Sequence, residues 1–530
     1  MAALLAAAMV LAACGGDDGG STNDDGGGAS GGEPQAGGEM TVLEDTAFTG
    51  SWPTGLDPAT NTTGGANLPM MQSIYGGLFL LRSDDDGTNG KVEPNQAESG
   101  ELSADGTTFT VKLREGIKFS DGTDMDAEAV KFNWERSLAA PCTCKPTWPL
   151  APDGIAVVDP LTLTLTFTQP YAAVSAVFPT SNVNWIASPT AIQKQGEDDF
   201  KINPVGAGPF TVVSNQLSSE LVLQKNENYF EEGQPYLDKL TFQSIGGDQA
   251  AYQALQAGQA QAYEGLNTTP LLEQAQNNDQ LQVEVQSPTS PYVIQLNTKT
   301  GPFTDPKARE AIYRATDFDA INEGIFGGQY EVGQGFTAPG GLFYEQEVDG
   351  YPEFDLDEAK KLVEELGGLT VKLGTISNYV ATQINTALQT QWEKAGIEVE
   401  IEDYQLSTLI QQFTGGQWQA MLQTAGAWDP AAGVGVGFRF GTPSPFSGVS
   451  DPALDELLAQ AASTIDEAER GDLYQQAAEL IAENFYAPFG LAFAPANISV
   501  TGVHGPGLTT KIPAALVNSQ VVWNEVWMEQ

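Results

Sequence analysis

Asp105-Gly106-Thr107-Thr108-Phe109-Thr110-Val111-Lys112-Leu113-Arg114-Glu115-Gly116-Ile117-Lys118-Phe119-Ser120-Asp121-Gly122, followed after a short gap by Asp126-Ala127-Glu128-Ala129-Val130-Lys131-Phe132, is the stretch whose reading decides the fold. Two Asp-Gly pairs bracket its first part, and each reads as a turn, because glycine takes the positive φ that tight turns demand. Between them Phe109, Val111 and Leu113 alternate with Thr110 and Lys112, the period of a half-buried strand. Asp126 then caps a helix on which Val130, Trp134 and Leu138 recur at four-residue spacing. Strand and helix therefore follow one another directly.

Outward from this stretch the mixture continues. Leu161–Phe167 and Leu281–Val285 alternate as strands do. Asp355, with Glu358 three residues later, reads as a capping box for a helix through Ala359, Leu362, Val363 and Leu366, stopped by Gly367-Gly368. Asp451-Pro452 opens another helix, and a longer amphipathic pattern between Thr464 and Phe485 carries Leu473, Ala477, Leu480 and Ile481. From about Met40 onward the elements intersperse without an internal repeat, which makes the chain α/β. Its 530 residues exceed what one hydrophobic core serves, so two or three domains are expected.

The N-terminus reads differently. Ala2 to Leu11 is a short apolar run ending in Leu11-Ala12-Ala13-Cys14, too short to span a bilayer, which takes roughly 20 residues. It reads as a signal peptide over residues 1–13 whose cleavage leaves Cys14 to be lipidated. No Lys or Arg precedes the run, as a signal peptide's n-region would require, which points to a start upstream of Met1. Residues 14–38 hold mainly Gly, Asp, Ser, Thr and Asn, cannot offset the entropy of ordering, and read as a flexible linker. The expected location is extracytoplasmic, on the outer face of the cell membrane, periplasmic or at the cell surface.

Lys and Arg number 23 against 69 Asp and Glu, a formal charge of −46. Phosphate binding needs clustered cations, so nucleic acid is excluded as a partner. Besides Cys14 the only cysteines are Cys142 and Cys144. In an oxidising compartment this Cys-x-Cys pair is a candidate for a small strained disulfide, whereas a metal site would want more ligands than two thiols and the single histidine, His504. No cofactor is implied. Gly-x-Ser-x-Gly, His-Glu-x-x-His and Gly-x-x-x-x-Gly-Lys-Ser/Thr are all absent, and one histidine removes most triad chemistry, so an enzyme is not expected.

An ordered series of motifs resembles the family 5 extracellular solute-binding proteins of ABC importers, the peptide-, dipeptide- and nickel-binding type. It opens with Gly55-Leu56-Asp57-Pro58, Ile74-Tyr75-Gly76-Gly77-Leu78 and Glu93-Pro94-Asn95-Gln96-Ala97, and continues through the stretch quoted first. Gly206-Ala207-Gly208-Pro209-Phe210, Lys225-Asn226-Glu227-Asn228-Tyr229, Ala254-Leu255-Gln256-Ala257-Gly258, and Asn297-Thr298 with Pro302, Phe303, Asp305, Pro306 and Arg309 come next, in order. The resemblance covers roughly residues 40–500. Turn chemistry accounts for most of these Gly and Pro, so they read as scaffold, with Gly206 and Gly208 suited to a chain reversal where the lobes meet.

The resemblance implies a periplasmic-binding-protein fold, class II-like, with two lobes around a ligand cleft and an extra inserted domain. Lobe I would use residues 39–75, 204–290 and 497–530, the insertion 76–203, and lobe II 291–496. It also implies a monomer that captures a small solute, most readily a peptide, by lobe closure and delivers it to permease subunits. Within that reading Trp428 and Asp429 line the cleft, the carboxylate meeting the ligand's ammonium, although in the family's peptide binders a spacer separates the two residues. Asp429 reads equally well as a turn residue ahead of Pro430. Trp52, Tyr75, Trp185 and Tyr292 are the further aromatic candidates. Other ligands of the family are an oligosaccharide or a nickel chelate, and the alternative of another class is a secreted hydrolase using a carboxylate pair.

Overall fold

The computed structural model describes residues 32–45, 55–61, 68–83, 90–140, 148–376, 379–404, 406–424, 428–431, 435–442, 444, 446–513 and 521–530. Cys14, Trp52, Cys142 and Cys144 lie outside the described residues, as do the signal peptide and most of the linker. Among the described residues, every helix and strand belongs to one compact unit, Pro34–Gln530.

The deciding stretch folds as its pattern dictates. Thr108–Leu113 is a strand with Phe109, Val111 and Leu113 inward, flanked by Ala97–Leu102 and Thr162–Phe167, with Leu150–Asp159 completing an antiparallel four-stranded sheet. Gly106 and Gly122 take φ of 70° and 85°. Asp105 Oδ1 accepts from Thr107 N, and Asp121 Oδ1 from Thr123 N, which closes each turn locally. Asp126 accepts from Ala129 N at 2.9 Å and starts the helix Ala127–Ala139. That helix lays Trp134 onto the sheet, edge-on to Trp148 at 5.9 Å, and its indole Nε1 donates to Val183 O.

A second sheet has seven strands in the order 281–285, 496–500, 262–266, 39–45, 239–245, 220–225 and 210–216. Glu39–Asp45 runs parallel to Lys239–Ile245 and Ala262–Leu266, and the outer pairings are antiparallel. Its strands come from three separated parts of the chain, so the chain must leave and return twice. At the first departure Gly208 N donates to Ile74 O at 2.9 Å. A Cβ at Gly206 would stand 2.3 Å from that carbonyl, so only glycine lets the outgoing and returning backbones lie this close. Here the expected reversal takes the form of two backbones side by side.

The third sheet orders Tyr292–Leu296, Ala420–Thr424, Leu369–Ile376 and Ile397–Tyr404. Ile294, Leu296, Val371 and Leu373 face one core with Trp392. Val293 faces another, with Phe440 and Phe489 under the helices Pro452–Ser463 and Glu467–Glu483. Both helices are capped by aspartate, Asp451 and Asp466. The expected capping box at Asp355 forms only its forward half. Asp355 accepts from Glu358 N, but its own N–H is taken by Arg314 O, and Glu358 reaches Lys361. A tertiary acceptor has replaced the local one. Among the described residues no helix is long and apolar enough to cross a membrane.

Candidate functional site

The site grows from the carboxyl end of Ala420–Thr424, where parallel strands open toward a loop, as ligand sites of open α/β sheets do. Residues 428–431 lie in this loop. Trp428 O accepts from Leu342 N, and the Trp428 side chain packs on the core of the four-stranded sheet that holds Phe109 and Trp134. A Cβ placed on Gly90, in the hairpin Phe79–Ser83 with Gly90–Pro94, would sit 2.3 Å from the indole Nε1. The ring therefore occupies the space that a missing side chain leaves.

Asp429 is 2% exposed. Its Oδ1 accepts from Ala431 N at 2.8 Å, and its Oδ2 lies 3.4 Å from Arg470 Nη2. Arg470 stands on Glu467–Glu483 with its guanidinium 5.0 Å over the Phe343 ring, which in turn stacks on Tyr474 at 5.6 Å. Burial pushes the Asp429 carboxyl above its ordinary value, and the Arg470 charge and the Ala431 N–H offset this only in part.

Across from this loop stands Tyr171, whose hydroxyl donates to Ala431 O at 3.1 Å, while Ala172 N donates to Ala462 O at 3.0 Å. A cavity of about 190 Å³ lies at this junction, bounded by Pro149, Gln169 and Tyr171 on one side and Pro430, Ala431 and Tyr474 on the other. Burial, then the Asp429 charge, pushes the Tyr171 and Tyr474 hydroxyls upward, so both remain neutral. A larger cavity of about 480 Å³ sits beside the second crossing, with Gln286, Ser287, Tyr330, Glu331 and Lys511 in its wall.

The other aromatic candidates are not gathered here. Tyr75 is fully buried, donates to Leu56 O at 2.6 Å and shares a core with Trp185, itself 2% exposed. Tyr292 is 6% exposed in the core of the third sheet, 6.1 Å from Phe493. Tyr171, Arg470, Tyr474 and Gly90 went unmarked in the sequence. Tyr171 and Ala431 are 260 positions apart, and no local pattern announces such a pairing.

The model of the bacterial extracellular solute-binding proteins, family 5 Middle, matches residues 91–443. The glutathione-binding protein GsiB of Shigella flexneri is 30% identical over 461 residues, covering 81% of this chain and 85% of its own. The GsiB of Escherichia coli K12 is similar to the same extent. Among solved structures, the Helicobacter pylori periplasmic binding protein DppA in complex with the peptide STSA superposes with a TM-score of 0.76 at 22% identity, over 94% of this chain and 99% of that one. The oligopeptide-binding protein AppA of Bacillus subtilis, with a nonapeptide, gives 0.77 at 21%, over 94% and 100%. AgaA of A. tumefaciens R10, with agropinic acid, gives 0.77 at 22%, over 93% and 99%. The mixed α/β architecture is thus the two-lobe fold of periplasmic binding proteins, and the chain belongs to the bacterial extracellular solute-binding proteins of family 5.

Proposed function

We propose that this protein captures a peptide between two lobes that close on it, and hands it to the permease of an ABC importer. The observation that carries the reading is the bridge at residues 428–431. From a loop beyond one sheet, Trp428 enters the core of another, and Tyr171 returns a hydrogen bond to Ala431. A solute that touches both sides favours this joined state through its differential contacts, which is how ligand drives domain closure. Peptide is the preferred cargo because relatives are named for glutathione and for peptides, and because backbone hydrogen bonds give affinity that tolerates varied side chains. Family members are solute-binding proteins, which supports binding without turnover.

The lobe division of this proposal is 39–75, 204–290 and 497–530 for lobe I, 76–203 for the insertion, and 291–496 for lobe II. The separate sheets support it, each drawing its strands from one of these sets to within a residue. In this reading Asp429 meets the ligand's ammonium while already holding Arg470, and the incompletely offset burial of its carboxyl leaves it able to accept a second positive neighbour. Anchoring through lipidated Cys14 completes the proposal.

The test begins with protein unfolded and refolded to strip cargo, the released material being identified by mass spectrometry. Calorimetric titration with glutathione, a tetrapeptide and its N-acetylated form, alongside small-angle scattering, should show saturable binding, compaction, and weaker binding of the acetylated peptide. A cargo of sugar or of a sugar–amino acid conjugate, with no compaction by any peptide, overturns the peptide assignment.

A further inference from the structure

The strand Tyr292–Leu296 divides its side chains between two faces, Ile294 and Leu296 toward one core and Val293 toward the other. Gln295 lies two residues beyond Val293 and so shares its face. It is fully buried, and among the described residues neither its Oε1 nor its Nε2 has a hydrogen-bond partner. On the neighbouring antiparallel strand Met421 lies opposite Gln295 and Gln423 opposite Val293, which makes Gln423 a diagonal neighbour within reach of a long side chain. Gln423 is 8% exposed with its Nε2 unpaired.

The helix Val436–Phe440 covers this face, since Phe440 joins the cluster that holds Val293. Beside it Arg439 is 7% exposed, with its guanidinium 5.5 Å over the Phe446 ring, and Phe446 packs on the cluster that holds Met421. The Arg439 carbonyl accepts from the hydroxyls of Ser444 and Ser447, and Ser447 O accepts from Thr298 N just beyond the strand. These bonds tie the backbone at Arg439 to Thr298, just past the end of the strand that carries Gln295. Among the described residues its Nε and Nη1 have no partner, and no carboxylate forms an ion pair with it. Burial lowers its pKa to about 10, which leaves it charged at neutral pH.

A buried charge with no counter-charge is strongly unfavourable, and protein interiors leave few polar groups unsatisfied. Four unpaired N–H-bearing nitrogens are carried by Gln295 and Gln423, which share one face of the sheet, and by Arg439, in the helix that covers that face. Water would satisfy the donors and leave the charge uncompensated. We propose that Arg439, Gln295 and Gln423 form an interior site for a small monovalent anion, either a halide from solution or the carboxylate of a captured solute. A single guanidinium lying over the apolar Phe446 ring balances one negative charge, and N–H donors to an anion form charge-assisted bonds. The chain's charge of −46 opposes entry from outside, but exposed charges are screened beyond about 8–10 Å, so the local donors dominate.

Thermal melting of the cargo-stripped protein, with bromide replacing bulky gluconate at fixed ionic strength, tests the first source. The melting temperature should rise and saturate, and crystals in bromide should show an anomalous peak beside Arg439. Arg439→Met should abolish the response. Gln295→Leu keeps the charge and should raise the bromide midpoint at least about threefold, which covers the case in which Arg439→Met does not fold. For the second source, a peptide ending in an amide should bind at least about tenfold more weakly than the free acid, a difference of about 1.4 kcal/mol. Bromide should then compete with the free acid, and the preference should vanish in Arg439→Met. Equal melting in the two salts, together with equal binding of amide and acid, overturns the site.

Discussion

Oδ2 of Asp429 and Nη2 of Arg470 face one another at 3.4 Å with 2% and 8% of their side chains exposed, a charge pair almost wholly removed from water. The two partners are not equivalent. Burial raises the proton affinity of Asp429 despite Arg470, so in the fold its ionised form is disfavoured relative to the unfolded chain. A carboxyl raised in this way contributes stability that is complete below its ordinary value of 3.8 and is lost as pH rises through its folded value. Asp429→Asn leaves the buried Arg470 guanidinium without its counter-charge and so carries a cost, but it should gain on the wild type as pH rises. Arg470→Met should cost on the order of 3–5 kcal/mol near neutrality, because a buried carboxylate is left alone, and less in acid. Urea denaturation of the three proteins across pH checks both signs; a loss for Asp429→Asn that grows with pH would reverse the assignment.

Gly90 has no side chain where Trp428 docks. With a Cβ at 2.3 Å from the indole Nε1, Gly90→Ala must displace the ring. Peptide affinity should fall at least about tenfold, equal to about 1.4 kcal/mol, with reduced compaction in small-angle scattering and a red-shifted Trp emission in the liganded protein. Unchanged affinity would remove Trp428 from the closure.

The Tyr171 hydroxyl joins the two sides through Ala431 O. Tyr171→Phe deletes that bond alone, and a net hydrogen bond is worth about 1 kcal/mol. Calorimetry should find peptide affinity lowered about fivefold at that energy, by faster release.

Asp57 is fully buried and takes a two-pronged contact from Arg136, with Nη1 at 3.1 Å and Nη2 at 2.9 Å. The pair ties the Gly55-Leu56-Asp57-Pro58 motif to the helix Ala127–Ala139. Asp57→Ala removes both hydrogen bonds and leaves the partly exposed Arg136 guanidinium with Glu197, 3.7 Å away, as its remaining counter-charge, so the cost should be about 1.5–3 kcal/mol. Denaturant unfolding of variant and wild type measures it directly.

Cys14→Ser should release protein from the membrane fraction to the soluble fraction, since acylation holds a chain at the bilayer by burying its methylenes. Fractionation and then mass spectrometry of the N-terminal peptide read the result. A variant that stays with the membrane argues for another anchor.

Much was legible where a few neighbouring residues settle the backbone. The Asp-Gly turns at 105–106 and 121–122, the strand Thr108–Leu113 and the aspartate-led helix starts at 126, 355 and 451 depend on contacts within a few positions, and the fold keeps each of these. Where a distant group competed, local reading failed, as when Arg314 O took the Asp355 N–H that a full capping box would use.

By itself the sequence determined the alternation of strand and helix, the turns and caps that punctuate it, and the ordered motifs that assign the family. Only the tertiary structure decided which side chains meet. It put Tyr75 and Trp185 into one core and Tyr292 into another, gave Asp429 to Arg470, brought Tyr171 to Ala431, and left Arg439 without a counter-charge among the described residues. The physical reason is range. A turn or a cap is settled among neighbours in the chain, whereas a contact between sheets depends on the closure of long loops and on the register of every strand between, which no short window of residues encodes.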